Sequence, residues 1–179
     1  MTMDFEVIET NRLYLRKLTD EMYEDILLNC SDEEIVLYLN PSDLEKEKLK
    51  AKKGFSTFNK SMLNFQLIDK KTNEIIGWCG FHTWYEDHHR AEIGYELLSD
   101  NNKSKGIMSE ALEAVISYGF NTMQLHRIEA FIGPDNIPSL KLVEKFGFTK
   151  EGHLRNHYLK NGIYEDSVVF SLLKNEYFE

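Results

Sequence analysis

The segment Asp100-Asn101-Asn102-Lys103-Ser104-Lys105-Gly106-Ile107-Met108-Ser109-Glu110-Ala111-Leu112 constrains this chain more than any other. An alternating apolar run at 91–98 precedes it. From Ile107 on, Met108, Ala111, Leu112, Val115 and Ile116 recur at helical spacing, with Glu110 and Glu113 outward. A strand, a short polar loop and a helix start aim several unpaired backbone N–H groups at one place. Free amides and the helix dipole both favour an anion there, so the order predicts a phosphate site. Lys103 and Lys105 add positive charge, and Gly106 lets the backbone approach a ligand that a Cβ would hold away. The same residues also suit an ordinary strand-to-helix turn. Neither GxxxxGK[ST] nor GxGxxG is present, which disfavours a nucleotide P-loop and a dinucleotide fold.

The other segments predict a mixed α/β domain. A strand over 12–18 leads into a helix that Thr19 caps and that runs towards Cys30. Ser31-Asp32-Glu33-Glu34 starts a second helix ending at Asn40-Pro41, and a charged surface helix follows from Ser42 to about Lys60. Strands at 64–68 and 74–81 form a hairpin, and the polar stretch 83–90 connects to the strand at 91–98. After the helix from Ile107 come a strand over 127–132, a turn at 133–136, a helix over 139–146, a loop, and a last strand over 166–173. One central sheet with helices on both sides results.

Length and charge narrow the function. The 179 residues suit one domain, 1–179, with its own core. A net charge of -9 disfavours nucleic acid and suits a cationic substrate or a basic protein partner. No apolar run reaches the length of a membrane span, and Met1–Glu6 lacks the features of a secretory signal. Cys30 and Cys79 make no CxxC pair, so a reduced cytoplasm is the expected setting. His82, His88 and His89 come without spaced carboxylates, so no metal site is expected.

Several stretches in this order resemble the GNAT acetyltransferases: the strand, basic glycine loop and helix, then a strand and Asn136-Ile137-Pro138-Ser139-Leu140-Lys141-Leu142-Val143-Glu144-Lys145-Phe146-Gly147-Phe148. The opening Thr10-Asn11-Arg12-Leu13-Tyr14-Leu15-Arg16, the run Ala91-Glu92-Ile93-Gly94-Tyr95 and the closing Tyr164-Glu165-Asp166 look more narrowly like the ribosomal-protein N-terminal acetyltransferases of the RimJ/RimL type. The resemblance implies a GNAT-type, largely antiparallel sheet, splayed between two central parallel strands, with helices on both faces. It implies acetyl-CoA as co-substrate, no metal, and self-association as a homodimer. In the loop, the family's pattern falls on Lys103, Gly106 and Met108, of which only the glycine matches strictly.

On that resemblance the diphosphate sits on the amides of Ser104, Lys105, Gly106, Ile107, Met108 and Ser109. The pantetheine chain pairs with backbone at Tyr95, Glu96 and Leu97, and Asn136 bonds its amides. The reaction is direct attack by an amine, with Glu92 as base, Glu86 or Asp87 as competitors, and a backbone N–H near Tyr95 or Glu96 as oxyanion donor. Glu92 also reads as a plain structural carboxylate. Where much of the family has a tyrosine acid, this chain has Val143. The resemblance to the ribosomal branch, which uses a hydroxyl in this helix, implies Ser139 as donor of the thiolate proton, and Ser139 also reads as a helix cap. The acceptor is a protein N-terminus, with a polyamine, amino sugar or antibiotic as the alternative. A non-catalytic acyl-CoA-binding module is the rival of another class.

Overall fold

The computed structural model describes residues 4–52 and 61–178. The elements are β1 (Val7–Glu9), β2 (Leu13–Thr19), α1 (Asp20–Asn29), α2 (Asp32–Leu39), α3 (Leu44–Lys52), β3 (Ser61–Asp69), β4 (Ile75–Tyr85), β5 (Arg90–Leu97), α4 (Ile107–Asn121), β6 (Arg127–Ile132), α5 (Ile137–Lys145), β7 (Thr149–Lys160), β8 (Ile163–Leu173) and α6 (Lys174–Tyr177). The part of the expected surface helix beyond α3, at 53–60, lies outside the described residues.

Local chemistry sets the helix starts. The Thr19 hydroxyl accepts from the Met22 amide, and Asp20 and Glu21 favour the positive end of α1. Ser31 and Glu34 bond each other's backbone amides, a reciprocal cap for α2 that the sequence spacing predicts. Asn40 ends α2 in a left-handed conformation, which asparagine tolerates better than most residues. Ser31→Ala removes one half of the cap and is expected to cost about 1 kcal/mol in urea unfolding. Loss under a few tenths would mean that packing of Ile35 alone holds α2.

The strands form one sheet in the order β1-β2-β3-β4-β5-β6-β8-β7. Every neighbouring pair is antiparallel except β5 and β6, which run parallel and pair only at Arg90–Glu92 with Arg127–Glu129. From Ile93 to Leu97, β5 stays paired with β4, yet among the described residues it makes no further ladder with β6. The sheet therefore opens along one side of β5, the splay that the resemblance implies. Two edges of backbone are left apart there, with room for an extended ligand.

Apolar positions on one face of the strands (Leu13, Leu15, Phe65, Leu67, Cys79, Phe81, Ala91, Ile93) pack with Ala111, Leu112, Val115, Ile116 and Phe120 of α4. A second cluster holds α1–α3 through Leu18, Ile26, Leu27, Ile35, Leu39 and Ala51. On the opposite sheet face, Arg16 Nη2 and Gln66 Nε2 both donate to the Tyr38 carbonyl in α2, at 2.7 and 2.8 Å. Helices thus cover both faces.

Three expectations are corrected. The region after Phe148 is a twelve-residue strand, β7, rather than a loop. It forms a long hairpin with β8, interrupted by register shifts at Lys150/Gly152 and Leu154/Tyr158. The stretch 83–90 continues β4 to Tyr85 before a single 3-10 turn at Glu86–His88. Glu110 does not point to solvent but inward, onto the turn between β1 and β2. Among the described residues no helix is long and apolar enough to cross a membrane.

Candidate active site

The loop after β5 makes a 3-10 turn at Asp100–Asn102, capped by the Ser99 hydroxyl, before entering α4. Ser104 (φ 58°) and Gly106 (φ 73°) are both left-handed, and Gly106 is the N-cap of α4. A glycine has no side chain with which to cap, so among the described residues the α4 N-terminus carries no side-chain cap. The amides of the first turn face a cleft of about 440 Å³.

That cleft brings together most of the residues expected from sequence. Tyr95, Glu96 and Leu97 line it from the end of β5; Lys103, Ser104 and Gly106 from the loop; Ile107, Met108 and Ser109 from α4; and Asn136 and Ser139 from the start of α5. It therefore lies beside the free edge of β5, between the helices that follow β5 and β6. Lys105 does not line it and instead offers its carbonyl to Arg12 Nη1 at 2.8 Å. Glu92 is not in its wall either. Asn102, Pro138 and Leu142 line the cleft without having been singled out.

Individual side chains are engaged differently from expectation. Lys103 pairs with Asp100 at 2.5 Å, and this partner holds its ammonium above the usual range. Asn136 Oδ1 accepts from the Ser139 amide at 3.3 Å, so Asn136 and not Ser139 caps α5. The Ser139 hydroxyl is left on the cleft side. Lys145, in the last turn of α5, donates to Ser109 Oγ and sets a cation beside the α4 N-terminus. Sequence gave no signal for it, because α4 and α5 meet only in the fold.

The Tyr95 hydroxyl is buried and makes no hydrogen bond of ordinary geometry among the described residues. Burial pushes its pKa up to about 12, while nearby Ser139 acts in the opposite sense. The phenol therefore keeps its proton at neutral pH and needs an acceptor, which a polar ligand in the cleft would supply.

Glu92 lies on the face of β5 opposite to Tyr95, since residues an odd number apart along a strand point oppositely. It sits where the β5–β6 ladder stops, and its side chain is 13% exposed. Tyr158 of β7 donates to Glu92 Oε1 at 3.4 Å, and His82 Nδ1 is 3.5 Å from Oε2. Burial raises the Tyr158 pKa to about 12, and the Glu92 charge adds to the shift. Burial also lowers the His82 pKa, which favours the neutral imidazole. The carboxylate beside it across the parallel pair, Glu129, is held by Arg90 Nη1 and Arg127 Nε, each at 2.8 Å. The competitor carboxylates Glu86 and Asp87 are exposed on the 3-10 turn. Among the described residues no group of His, Cys, Asp and Glu is arranged to hold a metal ion.

A sheet that parts beside β5, with the glycine-capped N-terminus of α4 at the gap, is the architecture of an acyl-CoA-dependent transferase. Residues 12–149 match the acetyltransferase (GNAT) domain, and the chain belongs to this acetyltransferase family. The family uses acetyl-CoA, and the chain is an N-acetyltransferase. It is 39% identical over 177 residues to uncharacterized N-acetyltransferase p20 of Bacillus licheniformis, covering 96% of this chain and 98% of that one. It is 35% identical over 113 residues to the [ribosomal protein uS5]-alanine N-acetyltransferase of Escherichia coli, covering 63% and 58%. Among solved structures, a GNAT acetyltransferase from Bacillus anthracis superimposes with a TM-score of 0.67 at 28% identity, covering 96% of this chain and all of that one.

Proposed function

We propose that this enzyme transfers the acetyl group of acetyl-CoA directly to a protein N-terminal α-amine, with a ribosomal protein as the first candidate acceptor. One observation carries the reading. The cleft runs from the uncapped amides of α4 to Tyr95 and Ser139, and Glu92 stands on the other sheet face where the strands part.

The residues present fit the co-substrate. The backbone amides from Ser104 to Ser109 would hold its diphosphate, with Lys103 and Lys145 supplying charge. The free edge of β5 at Tyr95–Leu97 offers backbone pairing to an amide-bearing chain. The Asn136 Nδ2 group makes no hydrogen bond among the described residues and would add a donor. Acetyl-CoA supplies an activated thioester carbonyl.

The protein groups then manage protons. Glu92, on the acceptor side, draws the proton from the attacking amine, directly or through water. An N-terminal α-amine has a pKa of about 8, so a carboxylate base is adequate, whereas a lysine ε-amine at about 10.4 would demand more. Ser139, beside the phenol of Tyr95, relays a proton to the departing thiolate and takes one from solvent in the same step, so its hydroxyl is restored. A backbone N–H near Tyr95 or Glu96 faces the developing oxyanion. The narrower likeness to the ribosomal branch rests on the opening Thr10–Arg16 segment, the 91–95 run and the partial match to the uS5-alanine enzyme.

Release of CoA thiol, screened against N-terminal peptides of ribosomal proteins and against polyamines, amino sugars and aminoglycosides, tests the acceptor. The reading expects peptides with a free α-amine to give the highest kcat/KM. Preference for a small polyamine would replace the acceptor and keep the chemistry. With the best acceptor, Ser139→Ala is expected to lower kcat by roughly 10- to 100-fold and leave CoA affinity within about threefold, a modest effect because a thiol leaves readily. Equal loss in both would count against a proton-transfer role.

A further inference from the structure

The α4 N-terminus carries a feature at odds with anion binding. Glu110, in its first turn, is an acidic side chain 17% exposed, and an anion there competes with phosphate for the same helix pole. The fold removes that competition from a distant part of the chain. The turn between β1 and β2 places Thr10 and Arg12 against the carboxylate. Thr10 Oγ1 and the Arg12 amide both donate to Oε1 at 2.7 Å, and Arg12 Nε donates to Oε2 at 2.6 Å. Both oxygens are thus engaged and the charge is balanced.

The same guanidinium reaches the loop itself. Arg12 Nη1 donates to the Lys105 carbonyl at 2.8 Å, and Nη2 lies 3.6 Å from the point that a Cβ on Gly106 would occupy. In a planar trans peptide the N–H points opposite to the carbonyl. Fixing Lys105 C=O on Arg12 therefore turns the Gly106 N–H away from the arginine.

We infer that Arg12 and Glu110 form a clasp that sets the diphosphate-binding loop: Arg12 cancels the Glu110 charge and orients the Lys105–Gly106 peptide so that the loop accepts the anionic part of CoA. This rests on the proposed cofactor reading. Arg12 is a positioning residue and touches no reacting atom. Burial favours the protonated Glu110, yet Thr10 and Arg12 together overcome it and hold the carboxyl below the usual range. At neutral pH the carboxylate is therefore charged, and losing Arg12 leaves it unbalanced under the ligand. Glutamate and arginine suit this site for different reasons. The carboxylate has two acceptors for three donors, and the planar guanidinium serves carboxylate and carbonyl at once, which a lysine cannot do.

Calorimetric titration with CoA of wild type, Arg12→Gln, Arg12→Lys and the double variant Arg12→Gln/Glu110→Gln tests the clasp. Turnover of S-acetylpantetheine, which lacks the diphosphate, is read alongside. Arg12→Gln is expected to weaken CoA about tenfold, Arg12→Lys less, and the double variant to recover part of the loss because the repelling carboxylate is gone. S-acetylpantetheine kcat/KM stays within about twofold throughout. Unchanged CoA affinity in Arg12→Gln overturns the inference. So does a parallel fall in S-acetylpantetheine turnover, which would mark a general distortion, or a double variant weaker than the single. If wild type itself shows no heat with CoA, the functional reading fails first, and the two failures are separable.

Discussion

Glu92→Gln is expected to lower kcat about 100-fold and to leave CoA affinity within about twofold. A positioned general base contributes roughly 10²–10⁴ in rate, and glutamine keeps the shape while losing the proton acceptor. The placement of Glu92 supports the lower end of that range. Its carboxylate is mostly buried at the head of the β5–β6 gap, with Tyr158 and His82 at its two oxygens. Tyr158 keeps its proton and so stays a donor to Glu92 at working pH. His82, favoured as neutral imidazole, can take over part of the proton transfer when Glu92 is gone. Steady-state kinetics with the preferred acceptor and a CoA titration together check the split. A kcat within threefold of wild type would remove Glu92 from the mechanism and return attention to His82.

Phe81→Ala is expected to destabilise the fold by roughly 3–5 kcal/mol, a large part of the 5–15 kcal/mol by which domains are usually stable. Phe81 is fully buried on β4 between Leu63 of β3 and Ile93 of β5. Helix α4 comes so close here that a Cβ on Gly119 would lie 2.6 Å from Phe81 Cζ. The ring thus joins the sheet to the helix whose N-terminus faces the cleft. Truncation leaves a cavity that the rigid strand pairing on either side cannot close. By contrast, Leu37→Ala, at a side chain 67% exposed, is expected to cost under about 0.5 kcal/mol. Urea unfolding of both variants gives the comparison, and similar midpoints would show that the core tolerates collapse at this position.

What was legible in the sequence was whatever chemistry lies close along the chain. Thr19, Ser31 and Glu34 mark helix starts because a cap and its amide are three residues apart. The alternation in β5, the turn at 69–73 and the periodicity of α4 are equally local. Gly106 was legible as the loop residue where backbone can come close to a ligand, though not as left-handed, and the cleft gathers Tyr95, Ser104, Met108 and Ser139 around the α4 start. β7 was not legible. Its residues are exposed on both faces for most of its length, so no alternation marks it, and only its ladder with β8 makes it a strand. The short edge strand β1, with three residues, escaped for similar reasons.

Contacts between distant segments escaped as well. Arg12 and Glu110 are far apart in sequence, and the outward position expected for Glu110 follows from helical periodicity alone. That periodicity shows which face is apolar, but not that the β1–β2 turn covers its flank. Lys145 reaches Ser109 only because α5 folds beside α4. Of the two readings open for Ser139, the helix cap falls away, because Asn136, expected to bond the cofactor's amides, spends its side-chain oxygen on capping α5.

The central claim is that the turn at Gly106 holds the diphosphate of CoA while the gap beside β5 admits its acyl arm. A crystal structure of the protein with CoA tests this most directly. The account predicts diphosphate oxygens within hydrogen-bond distance of the backbone amides between Ser104 and Ser109, with the thiol end lying between Tyr95 and Ser139. CoA seated elsewhere, with those amides engaged by the protein's own side chains, would contradict it.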